Sequence, residues 1–141
     1  MVTIIDGKNL ILGRLAGFVA KKISQENEEF VIFNAKKIVI SGQKKDILQK
    51  YKHRRERGDP IRGPFFPRTV EGIVRRSIRG MLGFTDRKGK ARFKLLKVYT
   101  KEDYGDLKNV TKVEVKDAKA LEKSKYMTIE QLSKELGCNN K

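Results

Sequence analysis

The 141-residue chain carries 33 Lys and Arg against 17 Asp and Glu, a formal net charge of +16. This length allows one domain with a modest core, and the charge predicts a polyanionic partner. No apolar run approaches the roughly 18 residues of a membrane span, and the N-terminus does not resemble a signal peptide, so we expect no membrane partner and a cytoplasmic location. Cys138 is the only cysteine, which excludes an intrachain disulfide or a cysteine-based metal cluster.

The chain opens with a strand and a helix. Residues 2–6 are mostly β-branched and end at Gly7, which predicts a buried strand and a turn. From Leu12 to Ile23 the apolar residues recur at helical spacing on one stripe, which predicts an amphipathic helix lying on a sheet. We interpret Gly13 and Gly17 as points of close packing, because the remainder of a phosphate-binding loop motif is missing.

Two further apolar runs, residues 30–33 and 38–40, predict the second and third strands. A strand, a helix and a strand within about thirty residues form the βαβ unit of parallel sheets, with a right-handed crossover. A fourth strand is predicted at residues 97–99. The fold class is therefore α/β, with a central, mainly parallel four-stranded sheet flanked by helices.

Positive charge is concentrated in residues 50–97, which hold 16 Lys and Arg against four Asp and Glu. The sequence predicts a helix that starts near Lys44, exposes one basic face to solvent and continues into a basic cluster before Gly58. The loop 58–68 contains three prolines, and we expect it to be mobile in the free protein and fixed only on RNA. Thr69 is the expected cap of a second helix whose apolar face is formed by Val70, Ile73, Val74, Ile78, Met81 and Leu82.

A basic turn at residues 86–90 is predicted to follow this second helix. A charged stretch this varied, with apolar positions inside it, predicts a nucleic-acid surface rather than a solvated tail. The candidate RNA-binding residues are Lys36, Lys37, Lys44, Lys45, Lys52, His53, Arg54, Arg55, Arg57, Arg62, Arg68, Arg75, Arg76, Arg79, Arg87, Lys88, Lys90 and Arg92. No zinc finger, helix-turn-helix or set of base-stacking sheet aromatics is evident, so we expect a folded RNA to be recognised by shape and phosphate position.

Residues 100–141 read as a C-terminal extension of the α/β core at residues 1–99, so that residues 1–141 form one domain. Val110, Val113 and Val115 predict a short extended piece. Thr128 and Gln131 match a capping box before a short terminal helix, with Ile129, Leu132 and Leu136 on one stripe and Gly137 as its stop.

Catalytic groups are scarce. His53 is the only histidine and lies among basic residues, and the acidic residues of the middle segment are scattered, which disfavours two-metal nuclease chemistry. We therefore expect no enzyme, no cofactor, no catalytic or metal site and no small-molecule substrate. The alternative to a non-enzymatic RNA-binding protein is a small nucleic-acid-processing enzyme.

Several motifs, in order, resemble one family. They are LGRLA at 12–16, NAKKIVISG at 34–42, RGPFF at 62–66, VRRSIRGML at 74–82, KGKA at 88–91, LLKVY at 95–99 and, more weakly, residues 126–137. In this order they resemble the universal large-subunit ribosomal protein L13 family in its archaeal and eukaryotic form.

The resemblance implies a single α/β domain that binds large-subunit ribosomal RNA during early subunit assembly and remains as a structural component of the cytoplasmic ribosome. It implies neighbouring large-subunit ribosomal proteins as further partners. The alternative that the family implies is an RNA-binding translational regulator that acts off the ribosome.

Overall fold

A parallel sheet and the helices packed on it organise the computed structural model, which describes residues 2–58, 61–63, 66–83, 85–101, 110–112 and 126–137. The strands in these ranges are β1 (Val2–Asp6), β2 (Glu29–Phe33), β3 (Val39–Ser41), β4 (Leu96–Val98), β5 (Val110–Lys112) and β6 (Tyr126–Thr128). The helices are α1 (Leu12–Glu26), α2 (Lys44–Glu56), α3 (Val70–Met81), α4 (Arg87–Phe93) and α5 (Ile129–Glu135), and a 3₁₀ turn covers Ala35–Lys37.

The main sheet has the strand order β4-β2-β1-β5, and all its pairs are parallel. Thr3 is in register with Phe30, and Phe30 with Leu96. The α/β class and the four-stranded parallel sheet are confirmed. The first and second predicted strands are present, and the fourth, predicted at 97–99, lies one residue earlier at Leu96–Val98.

The predicted third strand does not join this sheet. Residues of β3 pair with β6 in an antiparallel two-stranded sheet, and β5 is the remaining member of the main sheet. The reason is a change of direction after β2, where Asn34 has a left-handed backbone (φ 56°) and begins the 3₁₀ turn. The chain then bonds elsewhere: the Val39 amide donates to the Leu10 carbonyl at 2.9 Å, and the Ile129 amide donates to the Ile38 carbonyl at 2.8 Å.

Helix α1 confirms the predicted stripe, which is buried at Leu12, Leu15, Ala16, Val19, Ala20 and Ile23. These side chains share one core with α3 and with the Ile5, Phe30 and Ile32 face of the sheet. The expected close approach at the glycines of α1 is wrong for Gly13, since a Cβ there would meet nothing within 4 Å, and a Cβ at Gly17 would reach only the Met81 sulfur at 4.0 Å. The helix therefore packs through side chains.

Helix α3 begins as predicted, with the Thr69 hydroxyl accepting a hydrogen bond from the Gly72 amide at 3.2 Å. Its apolar face is buried except at Met81, the last residue of the helix, which is 52% exposed although its sulfur lies near Gly17 of α1. The capping box of α5 is also confirmed: the Thr128 hydroxyl accepts from the Gln131 amide, and the Gln131 side chain accepts from the Thr128 amide.

The basic turn predicted at 86–90 is instead the first part of helix α4. Its first bond runs from the Lys90 amide to the Asp86 carbonyl at 3.0 Å. A glycine makes the helix possible here, because a Cβ on Gly89 would lie only 2.1 Å from the carbonyl oxygen of Gly83.

Some expectations fall outside the described residues. Strand β5 agrees with the extended piece predicted at Val110, whereas Val113, Val115 and Cys138 are not covered, nor are residues 59, 60, 64 and 65 of the loop 58–68. None of the helices in the described ranges has the length and apolar character needed to cross a membrane.

Candidate nucleic-acid interface

Phe66 is the centre of a group of arginines at the junction of α2 and α3. Its ring is 7% exposed and meets the Tyr51 ring edge to face, with centroids 5.5 Å apart. The Arg76 guanidinium lies 5.1 Å from the centroid of Phe66, and that of Arg54 lies 5.8 Å from Phe66 and 5.3 Å from Tyr51. Cation–π attraction thus holds two guanidinium groups on one aromatic platform.

Two more arginines fix the segment that carries this ring. An Nη1 of Arg55 donates to the carbonyl oxygen of Phe66, and the carbonyl oxygen of Arg68 accepts from the Ser133 hydroxyl of α5 at 2.7 Å. Arg54, Arg57, Phe66 and Arg76 line a cleft of about 230 Å³. We call Arg54, Arg55, Arg57, Arg68, Arg76 and Arg79 the arginine cluster.

Burial, and after it mutual repulsion, lowers the pKa of two arginines in the cluster. Burial, then the charges of Arg79 and Arg54, lower the pKa of Arg76, and burial followed by the charge of Arg68 lowers that of Arg55. Guanidinium groups stay protonated at neutral pH. The fold therefore holds several positive charges close together, and the binding of a polyanion would relieve the electrostatic repulsion between them. Burial raises the pKa of Tyr51, with Arg54 opposing, and the platform beneath these charges stays neutral.

A second basic group lies on α4 and the neighbouring side of α3. The Arg75 guanidinium is 4.7 Å from the centroid of Phe93, the last residue of α4. Arg87, Lys88 and Lys90 are exposed on this short helix, and Arg92 is half-buried.

The remaining predicted residues are distributed over other surfaces. Lys44, Lys45, Lys52 and His53 are exposed along α2, where the last three line an open groove, and Arg62 is exposed in the loop. Lys36 and Lys37 lie on the 3₁₀ turn and line a different cleft, together with Asn34, Thr100, Lys101 and Glu130. The structure therefore brings the arginine cluster together and places Lys36 and Lys37 in a separate cleft.

Sequence reasoning missed the aromatic residues that position the arginines. Tyr51 and Arg54 have the i, i+3 spacing of helix neighbours, which could have indicated their contact. Phe66 gave no such signal, because it lies in an irregular segment and meets residues of two helices. Asn34 and Lys101 were also missed as members of the second cleft.

Within the described ranges no group of three or more His, Cys, Asp or Glu side chains is placed to hold a metal ion.

Comparison with known proteins gives a consistent result. The family model described as ribosomal protein L13 matches residues 1–105. Large ribosomal subunit protein uL13 of Methanocaldococcus jannaschii is 44% identical over 140 residues, covering 96% of this chain and 98% of the relative. The proteins of the same name from Methanosphaera stadtmanae and Methanosarcina barkeri are 42% identical over 141 residues and 40% over 138, covering 97% and 96% of this chain and 98% of each relative.

Proposed function

Because this chain belongs to the ribosomal protein L13 family of the large ribosomal subunit, we propose that it binds large-subunit ribosomal RNA through the arginine cluster and supports early assembly of that subunit. It is a ribosomal protein and not an enzyme. Neighbouring large-subunit proteins are its proposed further partners.

One observation carries the proposal: two guanidinium groups are held on the Phe66 ring in a cleft lined by a third arginine. Arginine forks match phosphate oxygens in bidentate geometry. Fixing the side chains before binding reduces the entropy that RNA contact costs. The arrangement has the charge and geometry to receive two or more backbone phosphates.

Helix α4 and the basic face of α2 extend this surface. Arg75, stacked on Phe93, links α3 to the cations of α4. An extended surface of this kind suits a folded RNA whose phosphates lie at several angles, and it reads shape rather than base edges.

The salt dependence of binding to a large-subunit ribosomal RNA transcript tests the proposal. Each phosphate contact contributes about 0.7 to 0.9 to the slope of log K against log salt. The double variant Arg54→Gln and Arg76→Gln should therefore lower the slope by about 1.4 to 1.8.

A double variant with the same loss of charge, Lys8→Gln and Lys21→Gln, alters exposed residues on other elements, the turn before α1 and α1 itself, and should leave the slope within about 0.5 of the wild type. Equal slopes for both double variants would contradict RNA binding by the arginine cluster. Sedimentation of the chain with large subunits in a cell extract would separate the ribosomal role from a regulator that acts off the ribosome.

A further inference from the structure

The short irregular segment at residues 66–68 carries the aromatic platform of the arginine cluster, and three helices hold it. From α2, an Nη1 of Arg55 donates to the carbonyl oxygen of Phe66. From α5, the hydroxyl of Ser133 donates to the carbonyl oxygen of Arg68 at 2.7 Å. These two carbonyl groups belong to the first and last residues of the segment, so hydrogen bonds from two different helices fix its backbone at both ends.

Helix α3 holds the middle of the segment. Pro67 lies against the first turn of α3 at Gly72, where an added Cβ would be 2.7 Å from the Cβ of Pro67 and 2.7 Å from the hydroxyl oxygen of Thr69. Carbon atoms that are not bonded to each other meet at about 3.5 to 4.0 Å, so only glycine lets the proline pack this closely. We call the contacts of Arg55, Gly72 and Ser133 with residues 66–68 the clamp.

The contact with α5 involves both the backbone and the side chain of Arg68. Ser133 is 0% exposed, and a buried hydroxyl needs a hydrogen-bond partner, which here is the Arg68 carbonyl. A Cβ placed on Gly137, just beyond the end of α5, would lie 3.8 Å from an Nη1 of Arg68. The carbonyl end of a helix favours a positive charge. Helix α5 therefore orients Arg68 as well as fixing its backbone.

Electrostatic repulsion gives the clamp a role. Burial, and then the charge of Arg68, lowers the pKa of Arg55, which shows that the two guanidinium groups are close enough to repel each other. Like charges on a mobile loop would move apart. On a fixed backbone they stay in place, and less conformational entropy is lost when a phosphate binds.

We propose that Ser133 and Gly72 are positioning residues for RNA binding: they fix residues 66–68 in the free protein, so that the Phe66 ring holds its two arginines ready for phosphates. Neither residue needs to touch RNA, because each acts through the segment. The inference rests on the proposed function and deepens it by naming residues that prepare the same site. The mobility expected of the loop 58–68 then excludes residues 66–68.

Limited proteolysis tests the clamp without RNA. Trypsin should spare the bond between Arg68 and Thr69 in the wild type, because the Arg68 carbonyl is bound to Ser133. Ser133→Ala should make this bond an early cleavage site, identified by mass spectrometry of the first fragments. Ser77→Ala is the matched control, since it removes a hydroxyl that donates to the Ile73 carbonyl at 3.2 Å within α3, and it should leave the bond intact.

The arginine side-chain signals in an NMR spectrum of the free protein report whether the platform is in place. The Nε–Hε signals of Arg54 and Arg76 should be displaced by the ring current of Phe66, because both guanidinium groups lie over its face. Ser133→Ala and Gly72→Ala should each move these signals toward the values of an arginine in a flexible peptide.

Binding to a large-subunit ribosomal RNA transcript then separates position from charge. Ser133→Ala and Gly72→Ala should each bind about 2- to 13-fold more weakly, the equivalent of ordering one arginine side chain on binding. The salt slope should not change, because no charge is lost. Gly80→Ala, also on α3 but with open space around its Cβ, should bind as the wild type does. Leu15→Ala controls for lost stability and, at a temperature where it is folded, should keep the wild-type affinity.

Three results would overturn the inference. Early cleavage after Arg68 in the wild type, or wild-type arginine signals in both Ser133→Ala and Gly72→Ala, would show that these residues do not fix the segment. An affinity lost equally in Leu15→Ala would assign the effect to stability. If Ser133→Ala does not fold, the comparison of Gly72→Ala with Gly80→Ala still decides.

Failure of the inference and failure of the proposed function can be distinguished. The trypsin pattern and the arginine signals are measured in the free protein, so they can contradict the clamp while the salt slope still supports RNA binding by the arginine cluster. An unchanged salt slope in the Arg54 and Arg76 double variant would instead contradict the proposed function and leave the measurements on the free protein unaffected.

Discussion

Replacement of Phe66 by leucine separates the positioning of the arginines from their charge. Leucine keeps an apolar side chain in the buried site but removes the ring face used by Arg54 and Arg76 and the edge-to-face contact with Tyr51. Two cation–π contacts at about 0.5 to 1 kcal/mol each and one aromatic pair at about 0.5 to 1.5 kcal/mol give an expected loss of about 1.5 to 3.5 kcal/mol in the free energy of unfolding.

Phe66→Leu should also weaken RNA binding without changing its salt dependence. The two arginines would have to be ordered at the moment of binding, at about 0.5 to 1.5 kcal/mol each, or about 1 to 3 kcal/mol together, which corresponds to roughly 5- to 160-fold in affinity. The log–log slope should stay at the wild-type value because no positive charge has been removed.

A urea melt and RNA binding at several KCl concentrations measure both effects, at a temperature where the variant is folded. An affinity equal to the wild type would show that the ring does not prepare these arginines for RNA. A slope that falls by about one or more would show that the ring maintains the phosphate contacts themselves, and it would refute the division between position and charge.

Further predictions concern packing and the basic loop. Leu15→Ala in the core stripe of α1 should lower the free energy of unfolding by about 2 to 4 kcal/mol in a urea melt, and near-zero loss would mean that the stripe is a partner surface. Gly89→Ala should lower the free energy of unfolding by about 1 to 3 kcal/mol, because its Cβ would lie 2.1 Å from a backbone oxygen. Gly80→Ala has open space around its Cβ and should instead raise the free energy of unfolding by about 0.5 to 1 kcal/mol, since alanine favours the helix. Trypsin should cut after Arg57 or Arg62 in free protein and be blocked by ribosomal RNA, and equal resistance in both states would argue for a preformed loop.

Local patterns in the sequence predicted much of the fold. The stripe of α1, the Thr69 cap and the capping box before α5 depend on residues within a few positions of one another, and all three are present. The parallel main sheet followed from a strand, a helix and a strand in succession.

What the sequence could not predict depends on long-range pairing. The apolar run at 38–40 identifies a strand, but its partner β6 begins at Tyr126, and no periodicity links the two. Helix α4 was missed because its short basic sequence has little apolar pattern, and its docking depends on the backbone contact between Gly89 and Gly83.

The candidate site shows the same difference between local features, which the sequence predicts, and long-range contacts, which it does not. Charge and helix spacing were enough to predict the arginines as candidates, because these are local properties. The convergence of Arg54 and Arg76 on Phe66, and the bond between Asn34 and Asp6 across 28 positions, arise from tertiary packing.

The bond from Ser133 to Arg68 spans 65 positions and bears on the order of events during synthesis. Domains fold as their residues emerge from the ribosome, at about 5 to 20 residues per second. Residues 66–68 emerge several seconds before α5, whose buried Ile129 and Leu132 anchor it in the core. The nascent chain therefore exposes most of its arginines before the hydrogen bond between Ser133 and Arg68 can form. Residues 66–68 reach their final position only after residues 126–136 have been translated.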